Sequence, residues 1–241
     1  MVWQFMLCFL VMGGAAMVQN LSGFGFGIVA MSLLPYWMPG YSLSASLTTA
    51  MMCVTAAAAA FKSYRMIRWR LLLPPLLSYP LVNYAAISLS FASPDIFLQR
   101  ALGVFLISLS LYFLLLKRRV KLRASVGAGL LAGALGAVMN GLFSMGGPPI
   151  VLYLLSASSD EEHYLASAQA YFCITNLFSL IIRLRAAEKS DGIHYYLLSL
   201  AAVLLFGFLG RKIRRKLNGD SIRKGVYFLM IISGLVMCLK S

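Results

Sequence analysis

From Met1 to Phe61 the chain carries no charged side chain, and beyond it short basic clusters alternate with long apolar runs. Further charge-free runs lie at residues 71–94, 124–159, 164–182, 195–210 and 225–239, while residues 96–116 carry Arg100 alone. A helix needs about 17–25 apolar residues to cross a bilayer. Most of these runs are of that size, and those at 1–61 and 124–159 have room for more than one segment. The pattern predicts helices at 42–61, 71–91 and 97–116, and again at 162–184, 193–210 and 222–239. Each set follows an apolar stretch that is interrupted.

The interruptions are chemically specific. NLSGFGFGIV (residues 20–29) spends Gly23, Gly25 and Gly27 within five positions, and FSMGGPPIVLYLL (residues 143–155) runs Gly146, Gly147, Pro148 and Pro149 in succession. In hydrocarbon an unsatisfied amide costs several kcal/mol, so irregular backbone is tolerated only inside protein or against a polar cavity. Glycine in membrane helices also permits close packing. Two interruptions at matching places argue for more than packing.

The match comes from an internal duplication. At an offset of about 120 residues, Asn20 falls on Asn140, and two residues further Ser22, Ile28 and Val29 fall on Ser144, Ile150 and Val151. AMMCVT (residues 50–55) meets AYFCIT (residues 170–175), which places Cys53 on Cys173, and LQRALGVFLI resembles IRKGVYFLMI. Residues 1–118 therefore read as a first membrane repeat and residues 124–241 as a second, joined at Lys117–Arg123 within a single membrane domain.

Charge sets the orientation of the repeats. Short loops rich in lysine and arginine stay cytoplasmic. With Lys62, Arg65, Arg68 and Arg70 inside, alternation places Asp95 outside and the Lys117–Arg123 cluster inside. The richest cluster, Arg211–Lys224, is inside only if the element at 124–156 enters and returns, or crosses twice; the near-neutral loop Arg183–Asp191 is then outside. The expected fold is an all-α polytopic membrane protein of two inverted repeats. It has about eight helical elements, with a broken or re-entrant glycine-rich first element in each repeat. Both termini are expected outside, in a bacterial inner (plasma) membrane.

Composition agrees. Hydrophobic residues make up 61% of the chain and charged residues 12%, and the mean hydropathy is +0.83; that leaves too little polar surface for a soluble globule. A cleaved signal peptide is not expected, since no basic residue precedes the first apolar run. The net charge of +14 sits in inter-span clusters, so it reads as a topology signal and no nucleic-acid partner is expected. Cys8, Cys53, Cys173 and Cys238 lack CxxC spacing and read as small buried hydrophobes. No metal, cofactor or catalytic residue is expected.

All seven acids (Asp95, Asp160, Glu161, Glu162, Glu188, Asp191, Asp220) and both histidines, His163 and His194, fall at loops or span ends. A cation would have no intramembrane counter-charge, and coupling through a buried carboxylate is not expected. An anion fits better. Each break is expected to end in a helix N-terminus, whose free N–H groups and positive dipole end attract anions, so two converging breaks would bind one without any buried cation. The candidate binding residues are Asn20, Ser22, Gly23, Gly25, Gly27 and Thr49 in the first half. In the second half they are Asn140, Ser144, Gly146, Gly147, Pro148, Gln169 and Asn176, the last two lying seven residues apart on one helical face. Arg100 and Lys224 near span ends read as snorkelling cations.

With SGFGFGIVAMSLLP and FSMGGPPIVLYLL opening its two halves, the sequence resembles the TauE/SafE sulfite exporter family, also called the toluene sulfonate uptake permease family. The resemblance extends over nearly the whole chain. It implies a transporter of small, often sulfur-containing anions such as sulfite and organosulfonates, and it carries over glycine-motif positions Gly23, Gly25, Gly27, Gly146 and Gly147. Phe24 and Phe26 between the first glycines, and Pro148 and Pro149 after Gly147, depart from the family pattern and would narrow a pocket. The leading expectation is a secondary transporter of a small anion bound near the bilayer midplane, embedded in lipid and with self-association left open. Alternatives are an anion channel on the same frame, a membrane thiol enzyme using Cys53 and Cys173, and a scaffold.

Overall fold

The computed structural model describes residues 2–115, 125–158, 160–186, 192–213 and 219–239. The junction Lys117–Arg123, the acids Glu188 and Asp191 and the basic residues Arg214, Arg215 and Lys216 lie outside the described residues, as do the side chains of Ser22, Glu161 and residues 211–224. Among the described residues the chain forms ten α-helices and two short 3-10 turns: α1 (Val2–Ser22), α2 (Phe26–Leu33), α3 (Tyr41–Lys62), α4 (Trp69–Ala92), α5 (Asp95–Leu115), α6 (Val126–Phe143), α7 (Gly147–Ala157), α8 (Glu161–Ala186), α9 (Ile193–Ile213) and α10 (Gly219–Leu239). The count is ten rather than about eight, because each interrupted first element is two separate helices, α1 with α2 and α6 with α7. The other helices begin and end within three residues of the positions expected from charge and hydropathy.

Among the described residues, six helices are long and apolar enough to cross a membrane: Tyr41–Lys62, Trp69–Ala92, Asp95–Tyr112, Val126–Phe143, Glu162–Ala186 and Ile193–Gly210. Their outward faces suit lipid. Along α4, Leu73, Leu77, Leu81, Tyr84 and Leu89 are exposed while Tyr79, Asn83 and Ser90 are buried. Polar groups turned inward find partners that hydrocarbon cannot offer.

The chain forms two compact units. The first holds α1, α2, the start of α3, α5, α9 and α10. In it α1 and α9 run parallel: the Phe5 ring lies 5.1 Å from those of His194 and Tyr195, Cys8 Sγ is 3.4 Å from Ser199 Oγ, and Gly210 packs on Met17. α5 and α10 run antiparallel. Ser110 Oγ donates to Tyr227 O at 2.9 Å, and further along Gly103 and Gly234 cross backbone to backbone, so that a Cβ on either would lie 2.7 Å from the other's carbonyl oxygen. Small residues at such crossings let membrane helices approach closely. Valine at Gly103 or Gly234 is expected to cost about 1–3 kcal/mol through overpacking. The check is a lowered thermal unfolding temperature in detergent.

The second unit holds the rest of α3, then α4, α6, α7 and α8. α4 and α6 run parallel, with Gly129 against Pro74, Gly133 against Pro75 and Ser78, and Gly141 against Ala86. Ser78 Oγ donates to Leu130 O at 2.8 Å and Asn83 Nδ2 to Ala137 O at 3.0 Å. α6 and α7 form an antiparallel hairpin: Gly136 lies against Gly146 and Gly129 against Tyr153. At its open end the loop after α3 meets the start of α8, where Arg68 N–H donates to Ser167 Oγ at 3.0 Å, Arg68 Nη2 is 3.8 Å from Asp160 Oδ2, and Asp160 also holds His163 Nδ1 at 2.8 Å.

Candidate functional site

In the second unit, the glycine-lined face of α6 lets α4 and α7 press against its backbone, and this sets the geometry at its end. Ser144 takes a left-handed conformation, φ 54°, and its N–H donates to Asn140 O at 2.9 Å while Met145 N–H reaches Met139 O at 3.3 Å. These bonds satisfy carbonyls that the helix end leaves free. The chain then doubles back, and Gly146 lies so close that a Cβ would sit 2.6 Å from Gly136 O and 2.9 Å from Asn140 Cβ. α7 starts at Gly147, with Pro148 and Pro149 in its first turn. Neither proline has an N–H, so two of the four donors expected at this helix end are missing.

Asn140, 3% exposed, is the node of the site. Its Nδ2 donates to Tyr79 OH on α4 and lies 3.2 Å from both Asn176 Oδ1 and Ser179 Oγ on α8. Two protons serve three acceptors, so these bonds are shared. Ser179 Oγ is in turn 2.8 Å from Tyr79 OH and 2.8 Å from Asn83 Oδ1. Thr49 Oγ1 and Ser144 Oγ, 3.1 Å apart, tie α3 to the break. Beside the node is a small cavity of about 10 Å³, lined by Tyr79, Asn140, Gly146, Tyr171, Thr175 and Asn176 among others. That is room for one water-sized group. Two buried polar atoms of the lining residues, Asn140 Oδ1 and Tyr171 OH, have no hydrogen-bond partner among the described residues. Buried polar groups are nearly always bonded, which singles out this cavity as the candidate site.

The structure thus brings Thr49, Asn140, Ser144, Gly146 and Asn176 together, with Gly147 and Pro148 next in the chain. Gln169 is buried on α8 two turns before Asn176 and does not line the cavity. The remaining candidates belong to the first unit. There α1 ends at Ser22, Gly23 (φ 80°) donates its N–H to Gln19 O at 2.8 Å, and Gly25 (φ 101°) precedes α2; positive φ is readily adopted only by glycine. Gly27 is buried within α2. Asn20 Nδ2 bonds back to Ala16 O at 2.8 Å, which accounts for its amide within its own helix.

One expectation is corrected outright. Arg183, expected in the last turn of the helix at 162–184 and at the start of an external loop, is 0% exposed in α8, which runs on to Ala186 and turns this side chain onto α6. Its Nη2 donates to Asn140 O at 3.0 Å and Gly141 O at 2.7 Å. A buried cation does lie beside the break, contrary to the expectation of a site built without one. Its spacing was the available signal: Gln169, Asn176 and Arg183 recur every seven residues. Tyr79, Asn83, Tyr171 and Ser179 were also missed.

Residues 8–237 match the model of the sulfite exporter TauE/SafE family. None of the curated proteins and none of the solved structures matches the chain at a significant level. Members of the family are membrane transporters rather than enzymes, in keeping with helices long and apolar enough for a bilayer. With nearly its whole length covered by the match, the chain belongs to the TauE/SafE family of sulfite exporters.

Proposed function

We propose that the protein is a secondary transporter of a small anion, a sulfur-containing oxyanion or organosulfonate, bound at the glycine-rich break between α6 and α7. The observation that carries this reading is the pair of unpartnered buried polar atoms, Asn140 Oδ1 and Tyr171 OH, on residues that line a cavity beside Gly146. Asn176 lines the cavity with them, Thr49, Ser144, Gly147 and Pro148 adjoin it at the break, and Gln169 lies two turns along α8 outside it. Asn20, Ser22, Gly23, Gly25 and Gly27 form the counterpart of this half-site in the first repeat. At about 10 Å³ the cavity is too small for a sulfur oxyanion, so loading requires the break to open. A saturable carrier with an occluded state accounts for this better than a continuously open channel.

Helix pairing supports two repeats of opposite orientation. Under the duplication α1 corresponds to α6 and α9 to α4, so the parallel pairs α1 with α9 and α4 with α6 are one arrangement occurring twice. α5 corresponds to α10, and an antiparallel pair of equivalents is what inverted halves make. The α6–α7 hairpin and the Arg68–Asp160 contact favour one side for the basic loop after α3 and the start of α8. The positive-inside rule then puts that side in the cytoplasm and both termini outside.

The test is uptake of radiolabelled sulfite, thiosulfate, a sulfonate and a carboxylate into proteoliposomes, wild type against Asn176→Ala. Saturable flux of one sulfur anion with counterflow, reduced tenfold or more in the variant, about 1.4 kcal/mol, is expected. Flux that never saturates would favour the channel, and flux indifferent to Asn176 would move the site elsewhere. Gly146 is unsuitable for this purpose, because any side chain there meets the α6 backbone.

A further inference from the structure

The last turn of a helix is an unfavourable neighbour for an anion, since its free carbonyls carry the negative end of the dipole. The break contains such a turn. Asn140 O and Gly141 O are carbonyls near the end of α6, and Asn140 itself lines the cavity. The opposing positive end, at α7, is weakened because Pro148 and Pro149 remove two donors from its first turn. On these two features alone the break would present an anion with a poor balance of charge.

Arg183 alters that balance. Its guanidinium is wholly buried and one nitrogen, Nη2, donates to both carbonyls. Asn140 O also accepts the Ser144 N–H, so the arginine and the backbone turn grip the same peptide group from which the Asn140 side chain projects. A neutral amide could donate to these carbonyls without the cost of burying a cation. The full charge is what distinguishes arginine here, and it lies on the carbonyl end that would otherwise repel the substrate.

We propose that Arg183 is a positioning residue of the anion site: it covers the carbonyl end of α6 with positive charge and holds Asn140 against the cavity. The inference rests on the reading of the α6–α7 break as the anion site. Sulfite flux by the wild type and its loss in Asn176→Ala test that reading separately.

The experiment measures KM and kcat for sulfite in proteoliposomes for wild type, R183K and R183Q, with thermal unfolding of each variant in detergent. Because one nitrogen makes both bonds, a lysine ammonium can reproduce the donors and the charge, whereas glutamine keeps only a donor. The expected result is R183K within about fivefold of the wild-type KM, and R183Q with KM raised about thirtyfold or more and kcat changed far less. A folded R183Q with wild-type KM overturns the proposal, as does a folded R183K whose KM rises as far as that of R183Q. Should R183Q fail to fold, R183K decides: KM within fivefold supports the proposal, and a larger increase overturns it. If wild type carries sulfite and Asn176→Ala does not, while R183Q is unaffected, the site stands and the role of Arg183 falls.

Discussion

Alanine at Asn140 is expected to abolish saturable anion flux, a loss of about a hundredfold or more, while the protein remains folded in detergent. The side chain joins three helices, through Tyr79, Asn176 and Ser179, and its Oδ1 is one of the two unpartnered atoms at the cavity. Alanine removes the group proposed to meet the anion and frees Asn176 Oδ1 from its contact. The stability cost is about 1–3 kcal/mol for a buried hydrogen-bonded group; Ser179 and Tyr79 keep each other as partners. The hundredfold figure corresponds to about 2.8 kcal/mol of lost binding and positioning. Flux per monodisperse molecule is the measurement. A folded Asn140→Ala protein that transports within threefold of wild type would show that the anion does not meet this node.

Leucine at Gly133 is expected to prevent the second unit from assembling. A Cβ there would lie 2.6 Å from Pro75 Cα and closer still to Pro75 O and Ser78 Oγ, so alanine already forces two backbones apart. The bonds from Ser78 to Leu130 O and from Asn83 to Ala137 O depend on the same close approach. Overpacking a good interface costs about 1–3 kcal/mol; a branched side chain against main chain, with two hydrogen bonds lost, exceeds that range. Aggregation on size exclusion and loss of a cooperative thermal transition are the readouts. Gly127, on the same helix with nothing within 4 Å of an added Cβ, is the control: leucine there should leave the protein monodisperse. Equal behaviour of the two variants would contradict the packing of α4 on α6.

Helix positions were legible because charge marks the ends of apolar runs, and this holds for α3, α4, α8 and α9 alike. The helix ends at Ser22 and Phe143 and the starts at Phe26 and Gly147 fall where glycines and prolines cluster in the sequence. What the local pattern does not carry is partnership. Nothing about YPLVN in α4 distinguishes Tyr79 and Asn83 from lipid-facing neighbours until α6 is packed beside them. Arg183 was misplaced because a charge near the end of an apolar run ordinarily marks a loop, and only the seven-residue spacing from Asn176 argues otherwise. Gly146 is a candidate binding residue by its place in the break; it lines the cavity and also packs against Gly136, a contact that the local pattern does not reveal. Asn20 and Asn140 are equivalent in the sequence, yet one bonds its own helix and the other joins three, since α1 and α6 have different side chains around them.

The parallel pairing of helices also dictates an order of assembly during synthesis. Parallel neighbours cannot be joined by a tight turn; Asn83 and Ala137 pair across 54 positions, and Cys8 and Ser199 across 191. The second unit has all its helices once α8 has left the ribosome, whereas α1 must wait for α9, which follows α8 in the chain. Its helix-packing glycine, Gly13, which lies against Phe206 in the finished protein, faces other surroundings throughout that interval. Sequence separation of this kind slows folding and lengthens exposure of unfinished surfaces. α1 is therefore among the last helices to be secured, since every helix of the second unit is made between it and its partner α9.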